Sequence, residues 1–250
     1  MYILTSIIYD ESLAYRYGMK SFFFFLLTSL ALAACVDTAT SVTPADPDWL
    51  RLEIPSGGEA RQVAGDLDGT LFVATTFEIY KTSNRGKSWE LIRRRHYGPQ
   101  GIILRHDTLW NVTNGGGTPQ QKFVYDRYAD YTVDGGKTWQ KDMNPTELRL
   151  QINAASATDG TVYTIRENST PKAEDPLSAY VNPADILRQT AEGTTLLALP
   201  FRHGINALHL DSRNRLYVAV YGTHVPETNR ILSSLTESPA VVYVSRRRQP

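Results

Sequence analysis

The sequence has a single cysteine, Cys35. An intramolecular disulfide and a multi-cysteine zinc site are therefore excluded. It also lacks an excess of charge of either sign, because 26 Lys and Arg balance 26 Asp and Glu. A whole-chain polyanion binder would be strongly basic, so nucleic acid is not expected as a partner. No apolar run reaches the roughly 20 residues that a membrane-spanning helix needs. No Gly-x-Ser-x-Gly and no P-loop pattern occurs. Gly115-Gly116-Gly117 follows a strand pattern, but no helix pattern follows it. The five histidines, His96, His106, His203, His209 and His224, never fall in a pair at ligand spacing. Neither a metal site nor a cofactor is expected. Long 3.6-residue periodicity is missing as well. What is present, over 250 residues, is 42% hydrophobic and 21% charged. That composition excludes wholesale disorder and suits one domain or two small ones.

The N-terminus reads as an address. Lys20 precedes an apolar run from Phe22-Phe23-Phe24-Phe25 to Leu32, which ends in the small residues Ala33-Ala34. A basic residue, a short apolar core and small residues are the parts of a secretory signal. The following Leu32-Ala33-Ala34-Cys35 resembles the bacterial lipobox. The resemblance implies a diacylglyceryl group on the Cys35 thiol and cleavage just before it. Each buried CH₂ of such a lipid contributes about 0.8 kcal/mol to anchoring. The expected division is a signal peptide over 1–34, lipidated Cys35 and a flexible tether over 35–48, and one domain over 49–250. Asp10 and Glu11 stand where a positive stretch is expected, so translation is expected to start at Met19. The expected location is the bacterial cell envelope, with the chain held at a membrane through Cys35. Val36 rather than Asp after the cysteine leans, by the same resemblance, toward the outer membrane.

From Trp49 onward, short β-rich runs alternate with turn signals. Val63 to Ala74, Ile102 to Trp110, Ile152 to Tyr163 and Ile205 to Ala219 each read as a strand, an Asp/Asn/Gly turn and a second strand. Asp-Gly and its relatives supply the positive φ of a tight hairpin. The second strands begin at Leu71, Leu109, Val162 and Leu216, at intervals of 38, 53 and 54 residues, close to the roughly 40–50 of propeller blades.

A second repeat follows the first. Thr82-Ser83-Asn84-Arg85-Gly86-Lys87-Ser88-Trp89 is echoed by Thr132-Val133-Asp134-Gly135-Gly136-Lys137-Thr138-Trp139. Both resemble the Asp-box, or bacterial neuraminidase repeat, Ser/Thr-x-Asp-x-Gly-x-Thr-Trp. The second copy matches at every defined position, and the first keeps an acceptor oxygen through Asn84. The resemblance implies an all-β propeller in which the box turns between the third and fourth strands of a blade. The structural positions would be Thr82, Asn84, Gly86, Ser88, Trp89, Thr132, Asp134, Gly136, Thr138 and Trp139. Glu192-Gly193-Thr194-Thr195-Leu196 reads as a worn copy. Residues 49–54 resemble a fourth strand displaced to the front of the chain. Four blades of four antiparallel strands are expected, the last closed by that N-terminal strand; a truncated six- or seven-bladed ring is the alternative.

The loops between second and third strands, about 113–128, 167–184 and 221–239, are long and should open on one face. They carry Tyr125, Arg127, Tyr128, Glu167, Tyr180, Tyr221, His224 and Arg230. Tyrosine and arginine among adaptable polar groups suit a recognition surface. A non-catalytic binding or scaffolding module is therefore expected, with an envelope protein or a glycan as ligand and no catalytic residues. The alternative, implied by the sialidase resemblance, is a glycoside hydrolase with an arginine cluster and a Tyr–Glu pair. Against it, the family's Arg-Ile-Pro segment is missing, and only Arg61, Arg105 and Arg202 lie beside first strands. Two basic runs, Arg93-Arg94-Arg95-His96 and Arg246-Arg247-Arg248, are candidates for anionic lipid headgroups.

Overall fold

The computed structural model describes residues 46–94, 98–126, 129–141, 148–175, 177–233 and 239–247. Cys35, with the expected signal, and Arg127 and Tyr128 of the expected binding face lie outside the described residues.

The chain enters through β1 (Trp49–Gly57). It then builds one antiparallel sheet in sequence order from β2 (Ala60–Gly65), β3 (Leu71–Thr75), β4 (Glu78–Thr82) and β5 (Glu90–Arg94). β6 (Gly101–Arg105) and β7 (Thr108–Val112) open a second sheet. The chain leaves it for a hairpin of β8 (Asn114–Thr118) and β9 (Gln121–Asp126), then returns as β10 (Asp130–Thr132) and β11 (Gln140–Lys141). β12 (Leu148–Gln151) pairs with β9 and completes a three-stranded sheet. β13 (Ala154–Ser156), β14 (Val162–Pro171), β15 (Ala179–Thr190) and β16 (Gly193–Leu196) form the next sheet. β17 (Gly204–Leu210) and β18 (Leu216–Tyr221) begin the last one. A small hairpin of β19 (Thr223–Val225) and β20 (Arg230–Leu232) follows, and β21 (Pro239–Ser245) then lies between β18 and β1.

Up-and-down sheets repeated around a ring make an all-β propeller. Among the described residues the ring has five sheets rather than the expected four, four of them four-stranded and one three-stranded. The extra sheet comes from the 113–128 connection, which was expected to be a loop. Its Val124 and the adjoining Leu148 bury apolar surface with Ile103 and Val112 of the second sheet. Its backbone continues toward the next sheet, where the Ile152 N–H donates to the Lys122 carbonyl and the Leu208 N–H to that of Ile152, at 2.9 and 2.8 Å. The Asn153 side chain fastens the hairpin tip, accepting from Lys122 N at 3.0 Å and donating to the Gln120 carbonyl at 2.9 Å.

The first-to-second-strand turns form for the reason their composition suggests. Asp66 Oδ1 accepts from Asp68 N at 2.7 Å, Asp159 Oδ1 from Thr161 N at 2.8 Å and Asp211 Oδ1 from Arg213 N at 2.8 Å. A short acceptor that bonds its own backbone two residues on is the standard means of reversing a strand. β3 is buried at all five positions. Sheets on both sides cover it, so Leu71-Phe72-Val73-Ala74 is an unbroken apolar run rather than an alternating one.

The core lies between the sheets. Leu52, Ile54, Val63, Val73, Tyr217 and Val242 join the last sheet to the first. Ala64, Phe72, Ile79, Ile102 and Leu109 join the first to the second. Trp49, Ile186, Ile205 and Val218 join the last to the β13–β16 sheet. β1 pairs with β21 in register from Trp49↔Ser245 to Ile54↔Ala240. The last sheet thus takes its outer strand from the front of the domain, which leaves β21 without a free edge. The C-terminal basic run serves this junction. Arg246 donates through Nε to the carbonyls of Asp46 and Trp49, both at 3.1 Å. Of the other run, Arg93 and Arg94 bond within the domain, and Arg95 and His96 lie outside the described residues. Arg93 pairs with Asp130, and its guanidinium lies 4.1 Å from the Trp139 ring centroid; Arg94 Nε reaches Glu78 at 2.5 Å.

Candidate functional site

The turns at 82–89 and 132–139 share one hydrogen-bond scheme. The Thr82 hydroxyl accepts from Gly86 N at 3.0 Å, and the Thr132 hydroxyl from Gly136 N at 2.9 Å. Ser88 N donates to Asn84 Oδ1 at 3.0 Å, and Thr138 N to Asp134 Oδ1 at 2.9 Å. The Thr138 hydroxyl donates to Asp134 at 2.6 Å; with the Thr138 N–H and the Thr132 hydroxyl it holds the Asp134 carboxyl well below the usual range. Each turn leans on the outer strand of the preceding sheet. A Cβ on Gly86 would meet Leu52 at 2.7 Å, and one on Gly136 would meet Ile92 at 2.6 Å. Both glycines also have positive φ, +79° and +94°. Gly136→Ala is expected to cost about 1–3 kcal/mol, from backbone strain and overpacking against Ile92. Urea unfolding measures this, and an unchanged midpoint would show that the turn is not held against its neighbour. The two tryptophans differ. Trp139 Nε1 donates to the Ile92 carbonyl at 3.1 Å, whereas the buried Trp89 Nε1 has no acceptor.

These turns share one end of the ring with an ionic cluster that sequence inspection missed. Arg215 reaches Asp66 and Asp211 at 2.6 Å each, and Asp68 at 3.0 Å. The Tyr217 hydroxyl donates to Asp211 Oδ2 and accepts from Leu67 N, both at 2.9 Å. Burial, and after it the Asp211 carboxylate, pushes the phenol up. Burial alone would raise Asp211, but the Arg215 N–H and guanidinium and the Tyr217 hydroxyl outweigh it and lower it. The legible signal was an aspartate at the same position of two hairpin turns, 66 and 211. His209 sits beside this cluster, its Nε2 at 2.8 Å from the Gly65 carbonyl. Burial lowers its pKa and favours the neutral ring.

The opposite end carries the three long connections, which are β-hairpins rather than loops. The β14–β15 ladder runs on from the blade through 162–171 and 179–190, with a register shift between Arg166 and Asn168. Hairpins β8–β9 and β14–β15 meet where Lys122 pairs with Glu167. Hairpins β14–β15 and β19–β20 meet where the Arg230 guanidinium stacks on Tyr180, 3.2 Å from the ring centroid. Lys172 lies 5.2 Å from the same ring, and the Tyr180 hydroxyl donates to Glu174 at 2.9 Å. His224 is held at 3.3 Å from Asn229 Oδ1. Tyr125 is exposed on β9, opposite Asn114. Tyr221 is half-buried against Gly204, and burial, with Glu167 and Glu59 nearby, raises its phenol. The expected face therefore brings Glu167, Tyr180, His224 and Arg230 into one linked surface and leaves Tyr125 apart on its hairpin.

No arginine cluster forms among the described residues. Arg61 pairs with Glu59 at 3.5 Å, Arg202 bonds Asn229, and exposed Arg105 ends β6 at the turn end of the ring. A buried Tyr–Glu contact exists, Tyr80 to Glu78 at 2.6 Å, but Glu78 also takes Arg94 from the neighbouring strand β5. Among the described residues, no group of three His, Cys, Asp or Glu could hold a metal ion.

No protein-family profile matches the chain, and no curated protein does. Among solved structures it is similar to the WD40 β-propeller domain of Doa1, with 9% identity and a TM-score of 0.39, covering 82% of this chain and 99% of that one. It is similar to YCF48 bound to D1 peptide, with 11% identity and a TM-score of 0.35, covering 80% and 97%. It is also similar to the extracellular domain of the putative one-component system BT4673 from B. thetaiotaomicron, with 10% identity, a TM-score of 0.24 and coverage of 75% and 29%. The chain's own repeated antiparallel sheets make it a β-propeller.

Proposed function

We propose that the protein is a lipid-anchored, extracytoplasmic propeller of the Asp-box kind, and that it works as a non-catalytic binding or scaffolding module. The observation that carries this reading is the linked hairpin surface at one end of the ring, joined by Lys122–Glu167 and Arg230–Tyr180. Rigid hairpins that present tyrosine and arginine lose little conformational freedom on binding, which suits recognition. The shared hydrogen bonds of the 82–89 and 132–139 turns support the Asp-box kinship. The lipobox-like Leu32-Ala33-Ala34-Cys35 supports anchoring at a bacterial membrane, with the outer membrane favoured by Val36. The strand that follows the tether, β1, begins beside Ser245, whose hydroxyl accepts from Leu216 N just after the 211–215 turn.

The test is crosslinking and pull-down of the full chain from its own membranes. The unaltered chain is expected to capture an envelope partner, and the Tyr180→Ser, Arg230→Ser double variant to lose it while remaining in the membrane fraction. Cys35→Ser should instead release the chain from that fraction. Capture that is indifferent to the double change would sink the hairpin surface as the binding end.

A further inference from the structure

A cavity of ≈ 300 Å³ opens at the hairpin end, between β15 and the segment that leads into β17. Leu197, Leu199 and Phe201 supply its apolar surface, and Asn182, Asp185 and Arg202 its polar rim. The volume is near the lower bound for small-molecule sites and suits one sugar ring with a little water.

Its charged lining residues are Asp185 and Arg202, and Arg166 beside it adds a second cation. Asp185 is already matched, by Arg166 Nη2 at 2.5 Å and by Asn168 Nδ2 at 2.9 Å. Arg202 makes no ion pair within 4 Å among the described residues, although its charge helps to hold the Asp185 carboxyl down. It donates from Nη2 to Asn229 Oδ1, a neutral acceptor, and its other N–H groups are unspent. Asn229 sits at the end of the β19–β20 turn with φ +52°, a left-handed conformation that asparagine tolerates better than most residues. The same Oδ1 lies 3.3 Å from His224 Nε2. The guanidinium is therefore aimed by a braced side chain, and Arg166, Asp185 and Arg202 together leave one positive charge. A guanidinium with free parallel donors is the group that recognises a carboxylate. Asp185 and the Asn182 carbonyl oxygen are acceptors for hydroxyl donors. The lining is mostly polar, and the leucines with the edge of Phe201 add a small apolar patch beside a ring's C–H groups.

We propose that this cavity binds a carboxylated saccharide unit, a hexuronate, with its carboxylate on Arg202 and its hydroxyls on Asp185 and Asn182. The inference rests on the reading of the hairpin end as the binding end and names a ligand class for it. A neutral sugar leaves Arg202 uncompensated, and a dianionic phosphate exceeds the single positive charge.

The experiment is calorimetric titration of the purified full chain with glucuronate, glucose and acetate. Glucuronate is expected to bind, glucose at least about tenfold more weakly because it lacks the charge-assisted bond to Arg202, and acetate at least about tenfold more weakly because it lacks the hydroxyls for Asp185 and Asn182 and the ring. Arg202→Gln should lower glucuronate affinity about tenfold and leave the glucose response unchanged. Asn229→Gly suits the local φ and should weaken glucuronate binding without lowering the melting temperature, which keeps the test open if Arg202→Gln misfolds. Equal responses to glucose and glucuronate, or acetate binding as well as glucuronate, would overturn the proposal. So would a chain that ignores glucuronate yet still captures a partner through Tyr180 and Arg230; that result leaves the binding end standing.

Discussion

Replacing Trp49 with alanine is expected to cost about 3–5 kcal/mol of stability, the range for a core tryptophan. Trp49 is the first residue of β1, yet it is only 5% exposed. Its ring stands edge-on to Phe201 at 5.8 Å, and Phe201 stacks on Tyr243 at 3.9 Å. One side chain thus ties the front of the domain to β21 and to the segment before β17. Its backbone is held as well, since its N–H donates to Asp46 Oδ1 at 2.9 Å. Loss of the indole opens a cavity between the last sheet and the β13–β16 sheet and loosens β1, the strand that closes the ring. Guanidinium unfolding at neutral pH measures the cost, with Trp89→Ala as the comparison. Trp89 is only partly buried, and its indole N–H is unsatisfied, so its loss should cost less. A Trp49→Ala cost below about 1 kcal/mol would mean that β1 does not close the ring in solution.

Arg215→Ala should be comparably damaging, about 3–5 kcal/mol, because it leaves a buried carboxylate without its cation. Asp211 is 6% exposed and depends on Arg215 for its ion pair. Asp66 and Asp68, which belong to the first sheet, lose the same partner. The cluster joins the last sheet to the first, so the damage falls at the seam of the ring.

A pH dependence follows. Asp211 is lowered in the folded protein. A carboxyl with a depressed folded pKa stabilises fully above its unfolded value, about 4, and loses that contribution as pH falls through the folded value. The Asp211 contribution should therefore be lost only on the acid side of about pH 4, whereas buried His209, whose pKa is lowered, already costs stability in both proteins as pH falls below its unfolded value of about 6.5. In Arg215→Ala, burial acts on Asp211 with less to oppose it, so its pKa rises and protonation relieves the variant. The gap between the two proteins should narrow between pH 7 and pH 4, read by urea unfolding at each pH. A gap that is constant across that range would show that the penalty is lost packing and not an orphaned charge.

Much of the ring was legible before any tertiary contact was considered. Asp66, Asp159 and Asp211 mark hairpin turns because a short acceptor reverses the chain by bonding its own backbone, and that is local chemistry. Gly86 and Gly136 were legible for the same reason, and so was the likeness of residues 49–54 to a fourth strand. The 113–128 segment was not. Asn114-Gly115-Gly116-Gly117 has the composition of a loop, and its five-residue strand is exposed throughout. It becomes a strand because β9 pairs with β12, more than 20 residues further on, and because Val124 finds Ile103 and Val112. Propensity is local, whereas that pairing is not.

The candidate site divides in the same way. Tyr180 and Arg230 could be named from composition, but their stacking depends on two hairpins from different sheets arriving at one place. Arg202 was visible only as an arginine beside a strand. Its free donors, and the match of Asp185 by Arg166 and Asn168, exist only once β14, β15 and the β19–β20 turn are packed. The sequence by itself determined the strands, their turns and the repeat, since each rests on hydrogen bonds within a few residues. Only the tertiary structure decided the number of sheets, the partner of each charge and the cavity beneath Arg202. Those depend on which distant segments share a surface, and burial sets that for the chain as a whole.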